Sequence, residues 1–337
     1  MAEAGAGAAR AVDSRPLLEV CDLDLRYLAA DGTEVHALDG VSLELHRGRT
    51  VALVGESGSG KSTLALAIPG LLAPRARIVG GEIWYRGSDL TKLSSEELRR
   101  IRGRDIGFVF QEPATAFNPV LTIGAQIEES LTLHASLDAA EARERAVELL
   151  ARVGFARPAS WLDAWPHQLS GGMLQRAMIA MAIGPRPRLL IADEPTASLD
   201  TTIQAQVLEL LGELCEQDGT GLLLVSHSLG LVAAHAHRVA VMYAGRVVER
   251  GPVGDVFRHP RHPYTRALFE CEPGRHPRGS RLPTLPPAAP ESSPLGCRFR
   301  GRCTRAADAC VVEDPRLPAA GDGEQAAACL FPVEEPL

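Results

Sequence analysis

The sequence predicts an α/β protein. Its parts are a largely parallel central sheet, an antiparallel β subdomain, an all-helical insertion and a small cysteine-rich C-terminal extension. Three observations predict it. Apolar runs at residues 50–54, 106–110, 188–192, 221–225 and 239–242 read as buried strands with helical stretches among them, the alternation of a parallel sheet. Residues 123–153 change to an Ala/Leu/Glu/Arg pattern of helical period, which implies a helical insertion of about 50 to 60 residues. Four of the seven cysteines crowd the end of the chain, beyond a Pro- and Arg-rich stretch.

Taken in order, residues 1–16 are Ala/Gly-rich with no basic region leading into an apolar stretch. They read as a disordered tail rather than a signal peptide, which places the chain in the cytosol. Residues 17–26 and 41–45 alternate apolar and polar, as antiparallel strands do. The run 50–54 ends at a glycine and is followed by a helix over 61–68; residues 86–88 form a turn and 95–102 a short charged helix. After Gly251 proline and arginine become frequent, and 275–294 reads as a linker. The longest apolar run, 64–74, is short of the roughly 18 to 20 residues a membrane span needs and is broken by Pro69 and Gly70, so any membrane association comes through a partner.

Hydrophobic residues make up 45% and charged residues 23% of the 337, an ordinary globular balance. The net charge of −7 argues against binding nucleic acid by general electrostatics. Of 35 basic residues only Lys61 and Lys92 are lysines, so a surviving lysine invites a chemical explanation.

Lys61 has one. Gly55 to Thr63 reads G-E-S-G-S-G-K-S-T, the G-x-x-x-x-G-K-[ST] phosphate loop, and it follows a predicted strand and opens a predicted helix. Gly55, Gly58 and Gly60 let the backbone N–H groups of the loop, Ser57 included, turn toward one centre. The helix N-terminus adds positive potential, and Lys61 bridges the terminal phosphates of a nucleotide. Ser62 places its hydroxyl on Mg2+, and Thr63 completes the motif. The strand at 189–193 ends in Asp193 and Glu194, where a sheet's C-terminal edge presents ligands: Asp193 for the magnesium, Glu194 to polarise the attacking water. Together these give a P-loop NTPase (RecA-like) core.

The L-S-G-G-M-L-Q-R run from Leu169 to Arg176, ahead of the Asp193–Glu194 strand, resembles the signature of ABC transporter nucleotide-binding subunits. The resemblance implies that Gln111 is the Q-loop residue, sensing the metal and contacting the membrane subunit. Likewise Ser198 to Asp200 would be the D-loop, His227 the switch histidine on the γ-phosphate, and Tyr27 an aromatic on which adenine stacks. Ser170, Gly171 and Gly172 would present a second helix N-terminus to the nucleotide of a head-to-tail partner. Two departures stand out: Ser228 follows His227 where an acidic residue is common, and Leu174 replaces a polar residue in the signature. Neither removes a catalytic group.

Three stretches resemble one branch, the ATP-binding subunits of oligopeptide/dipeptide (peptide/nickel) importers: residues 110–124, 166–173 and the H-P-Y-T-R-A-L run 262–268. The resemblance then covers roughly residues 17–331. It implies an ABC nucleotide-binding domain over 17–255, with its helical subdomain at about 112–176, and a C-terminal extension over 256–337. It further implies an ATPase peripheral on the cytoplasmic face of the inner membrane, paired with a second ATPase subunit in a heterodimer. That pair docks on two transmembrane permease subunits served by an extracytoplasmic solute-binding protein. An importer for nickel or another non-peptide solute is the alternative. A soluble ABC ATPase and an exporter are the other rivals.

Cys297, Cys303, Cys310 and Cys329 lack the short C-x2-4-C pairs of most structural zinc sites. Spacing alone leaves metal ligation and plain reduced thiols open. The resemblance implies a [4Fe–4S] cluster, with zinc behind it, and Arg298, Arg300, Arg302 and Arg305 are expected to offset the cluster's negative charge. Cys21, Cys215 and Cys271 read as packing residues.

Overall fold

The computed structural model describes residues 15–29, 31–196, 199–277, 279–286, 295–318 and 324–337. Most of the expected N-terminal tail, Ser198 of the expected D-loop and the end of the expected linker lie outside these residues. Eleven strands occur among those described: β1 Leu18–Leu28, β2 Glu34–Leu45, β3 Thr50–Val54, β4 Ala76–Tyr85, β5 Ser88–Asp89, β6 Ile106–Val109, β7 Leu189–Asp193, β8 Gly221–Val225, β9 Arg238–Tyr243, β10 Arg246–Pro252 and β11 Ala326–Ala327. The helices used below are α1 Lys61–Ala67, α2 Ser95–Ile101, α3 Pro113–Ala116, α4 Ile123–Ala135, α5 Ala139–Arg152, α6 Gly171–Ile183, α7 Thr201–Asp218, α8 Leu229–His235, α9 Val253–Arg258 and α10 Pro263–Glu270.

The larger sheet runs β11-β10-β9-β3-β8-β7-β6. Its five strands from β9 to β6 pair in parallel, and β10 and β11 are antiparallel additions at one edge. The strands β3, β7 and β8 are buried along their whole length, which explains their uninterrupted apolar sequence. The second sheet, β2-β1-β4-β5, is antiparallel, and β1 and β2 alternate in burial as their sequences do.

Four strands were not foreseen: the two-residue β5 and β11, too short to carry a period, and two longer ones. The first, β4, carries Gly80 and Gly81 in its middle, which hid it as a strand. Gly81 sits at φ +82° opposite a bulge in β1 where Asp22 is itself left-handed, and a Cβ there would meet the Asp22 carbonyl oxygen at 2.5 Å. The other, β10, lies between β9 and β11, and there Glu249 and the arginines interrupt the apolar run that a largely buried strand would show. In addition β2 starts at Glu34, seven residues before its alternating part.

Three apolar clusters hold the molecule together. One joins α4, α5 and α6 to the β6–β7–β8 side of the sheet through Ile127, Leu131, Leu149, Met178 and Leu190. The second packs the antiparallel sheet and α1 on β3, through Leu23, Leu38, Leu53 and Leu64. The third joins β9, α9 and α10 to the tail through Val241, Tyr243, Tyr264 and Phe299. The tail is therefore stitched on twice, by this cluster and by β11 on β10. The helices start where their caps dictate: Thr122, Asp138, Ser170 and Asp200 each accept a hydrogen bond from the first turn of α4, α5, α6 and α7.

Candidate nucleotide site

The residues after β3, β6, β7 and β8 meet at the C-terminal edge of the parallel strands, where such sheets bind ligands. Ser57, Gly58, Gly60, Lys61, Ser62, Thr63, Gln111, Glu194 and His227 line one cavity of ≈ 620 Å³. Gly55 and Asp193 do not line it but accept hydrogen bonds from Lys61 and Ser62, which do. A Cβ on Gly55 would lie 2.2 Å from the Met242 carbonyl oxygen, so only glycine lets the loop pass β9. Gly58, at φ +79°, has open space where a side chain would be, which leaves room for a phosphate.

Lys61 is buried, and its ammonium donates to the carbonyls of Gly55 and Glu56, each at 2.9 Å. Burial pushes its pKa down, against the pull of Glu194, Asp193 and Glu56. The Ser62 hydroxyl donates to Asp193 Oδ1 at 3.1 Å. Burial pushes the Asp193 carboxyl up, and the Ser62 hydrogen bond and the Lys61 charge oppose it. A buried carboxylate beside a hydroxyl at the mouth of a phosphate loop is a hard-oxygen donor pair, and a divalent cation would relieve its desolvation.

Glu194 accepts from Gln111 Nε2 at 3.1 Å and stands 2.5 Å from His227 Nε2. It sits at φ +49°, a conformation that costs a non-glycine residue about 1 kcal/mol. Its N–H donates to the Val225 carbonyl at 3.0 Å, so pairing with β8 holds the turn that aims the carboxylate. The three residues come from three different strand ends, and sequence order alone did not show that they touch.

Ser170, Gly171, Gly172 and Asp200 lie elsewhere. Together with Met173, Arg176, Leu199 and Ile203 they line a second cavity of ≈ 370 Å³ that shares no residue with the first. Ser170 caps α6 by accepting from the Met173 N–H at 3.3 Å, and Asp200 caps α7 through the Ile203 N–H at 3.0 Å. Tyr27 is absent from the lining of both cavities. It is partly buried against the second apolar cluster and pairs in register with Val35, which does line the nucleotide cavity.

Sequence reading missed six residues that line the first cavity: Val35, His36, Ala37, Ala244, Gly245 and Arg298. The first three belong to the unrecognised start of β2. Ala244 and Gly245 form the tight β9–β10 turn, both at positive φ, and a G-R step after an apolar run was the available signal. Arg298 arrives from the tail, and nothing local could have placed it there.

The four terminal cysteines do converge. Cys297, Cys303, Cys310 and Cys329 line one pocket with His262, Pro263, Phe299, Arg300, Arg305 and Phe331. Burial pushes the thiols of Cys297, Cys303 and Cys329 up, Cys329 to about 11. Thiolates there call for a compensating cation. No three of the Sγ atoms lie within 4.8 Å of one another, whereas two thiolates of a tetrahedral zinc site are about 3.8 Å apart. The arginine expectation needs correcting. Arg300 and Arg305 border this pocket, but Arg298 turns to Asp39 and the Ala244 carbonyl, and Arg302 to Glu56, because half-buried acceptors on the main domain claim those guanidinium groups.

Residues 38–197 match the sequence model of the ABC transporter family, and residues 248–310 that of the oligopeptide/dipeptide transporter C-terminal region. The chain is similar to the dipeptide transport ATP-binding protein DppD of Escherichia coli, 44% identical over 321 residues, covering 95% of this chain and 98% of that protein. It is also similar to the oligopeptide transport ATP-binding protein AppD of Bacillus subtilis, 46% identical over 321 residues, covering 94% and 98%. Among solved structures it is similar to a dimeric ATP-binding cassette in a post-hydrolysis state bound to ADP and Pi, with a TM-score of 0.65 and 29% identity. That likeness covers 70% of this chain and 98% of the other.

Proposed function

The chain belongs to the ABC transporter ATP-binding proteins, and from that premise we infer that it is the ATPase subunit of an importer for dipeptides or oligopeptides. One observation carries the chemistry: Lys61, Ser62, Gln111, Glu194 and His227 converge on a single cavity at the C-terminal edge of the parallel sheet. The peptide substrate class is supported by the match of residues 248–310 and by the full-length relatives.

In this reading the loop N–H groups and Lys61 hold the nucleotide phosphates. Ser62, Asp193 and Gln111 are the residues that would hold a magnesium ion, which would supply charge neutralisation for the phosphates. A water between Glu194 and the γ-phosphate attacks phosphorus as ADP leaves, and its proton passes to the Glu194 carboxylate. His227, beside Glu194, orients that carboxylate and reaches the transferred group. Tyr27 would bear on the adenine, from the strand beside Val35.

A second ATPase subunit would complete each site head to tail, with Ser170, Gly171, Gly172 and Asp200 facing the partner's nucleotide. That the two cavities of one chain share no residue supports this arrangement. A heterodimer, two permease subunits and an extracytoplasmic solute-binding protein complete the assembly, with this chain on the cytoplasmic face of the inner membrane. No helix among the described residues is long and apolar enough to cross a membrane, so the permease subunits supply the path. Residues 17–255 form the nucleotide-binding domain, 112–176 its helical part and 256–337 the extension. The four cysteines would suit a [4Fe–4S] cluster, a reading supported by their convergence on one pocket.

Reconstituted with its permease subunits in liposomes, and given a peptide-loaded binding protein, the wild-type chain should hydrolyse ATP faster and accumulate peptide inside. Stimulation by a non-peptide solute alone would refute the peptide assignment. Lys61→Ala should weaken ATP binding about 30-fold, the loss of a charge-assisted phosphate contact. Unchanged affinity in a filter-binding or calorimetric titration would refute the phosphate assignment.

A further inference from the structure

Glu56, the second residue of the phosphate loop, is held by the C-terminal extension at two points. Arg302 donates to both of its carboxylate oxygens, Nη1 to Oε2 at 2.7 Å and Nη2 to Oε1 at 2.8 Å, a two-pronged fit that fixes orientation as well as distance. The Arg302 side chain is only 6% exposed. The Glu56 N–H donates to the Tyr264 hydroxyl at 2.8 Å, and the Glu56 carbonyl accepts from Lys61. Carboxylate, N–H and carbonyl of one loop residue are therefore all occupied, two of them by groups more than 200 residues away in sequence.

The holders are themselves locked. Tyr264, Tyr243 and Phe299 form an aromatic trio with ring centroids 4.7 to 5.4 Å apart, and the Arg302 guanidinium lies over the rings of Tyr243 and Phe299. Buried His262 caps α10 by accepting the Tyr264 N–H at 3.0 Å, which explains the H-P-Y order of the sequence. Arg302 ends a short turn, Arg300–Arg302, that begins three residues after Cys297 and is followed at once by Cys303. The cysteine pocket thus frames the turn that presents Arg302.

We propose that Arg302 and Tyr264 are positioning residues of the ATP site: by clamping Glu56 they preorganise the phosphate loop, so an intact cysteine pocket raises nucleotide affinity. This rests on the nucleotide reading above. If the unclamped loop is competent only a tenth of the time, apparent affinity falls by the same factor.

The test uses the full-length chain and titration with a fluorescent ATP analogue. Arg302→Ala and Glu56→Gln should each raise Kd about tenfold, the double variant should be no worse than either, and Arg302→Lys, which keeps the charge without the fork, should recover about half the loss. Cys303→Ser should raise Kd in the wild-type background and add nothing to Glu56→Gln. Should Arg302→Ala fail to fold, Glu56→Gln and Tyr264→Phe carry the test. Wild-type Kd in these variants, additive losses in the double variant, or an equal Cys303→Ser effect in both backgrounds would overturn the proposal. A wild-type chain that binds no ATP, or Lys61→Ala binding as well as wild type, would overturn the nucleotide reading instead.

Discussion

The phosphate cavity and the signature cavity belong to one chain and are built in opposite ways. In the first, polar and charged side chains from four strand ends are brought within hydrogen-bond distance of acceptors in the site: Lys61 on loop carbonyls, Ser62 on Asp193, Gln111 and His227 on Glu194. In the second, Ser170 and Asp200 spend their oxygens on capping their own helices, and glycine backbone faces the open space. On the proposed reading the first does the chemistry, with Glu194 as base and Ser62 and Asp193 for the cation. The second offers N–H groups and room, and its one cationic side chain, Arg176, is turned to the Gly172 and Gly154 carbonyls. That reading assigns bond breaking to one pole and recognition to the other.

If that division is right, the largest loss comes from the first pole. Glu194→Gln keeps the size of the side chain and a hydrogen-bonding partner for His227 but removes the proton acceptor. ATP turnover of the assembled complex should fall about 1,000-fold with ATP affinity within a factor of about two. A single-turnover assay with bound nucleotide separates the two quantities, and turnover above a tenth of wild type would move the base elsewhere.

A smaller loss, of a different kind, is expected at the second pole. A Cβ added to Gly171 meets nothing within 4 Å, so Gly171→Ala fits the isolated chain and should leave its melting temperature and its own ATP affinity as they are. In the assembled complex that methyl group occupies space meant for the partner's nucleotide, and ATPase should fall about tenfold. Wild-type ATPase in the complex would mean that the signature cavity faces no phosphate.

Legibility in the sequence divides along the same lines. The phosphate loop, β3 and β8 were readable because a loop that cradles phosphate and a strand buried on both faces each demand a narrow set of residues in unbroken order. The roles of Gln111 and His227 were implied by resemblance, but that both touch Glu194 depends on strand register. The tail's reach was not readable at all. That Arg302 clamps Glu56 and Arg298 turns to Asp39 follows from β11 pairing with β10 and from the Tyr243–Tyr264–Phe299 trio, long-range packing without a local signal. The four arginines looked equivalent in sequence because charge was their only visible property.

The smallest effect concerns the wall of the phosphate cavity rather than its chemistry. Asp39 in β2 ties that wall to the tail, accepting from Arg246, Arg298 and Arg316. Burial alone would push its carboxyl up, but the hydrogen bonds from Arg246 and Arg316 and the charge of Arg298 hold it at about 2, below the ordinary 3.8. A carboxylate depressed in the folded state stabilises the fold above the unfolded value and loses that contribution as pH falls from 3.8 toward 2. With solvent screening allowed for, the contribution is about 1 kcal/mol. Asp39→Asn should therefore be less stable than wild type by that amount at neutral pH, and urea titrations at descending pH should show the difference closing below about 4. A gap that stays constant down to pH 2 would mean that the arginines hold Asp39 by shape rather than by charge.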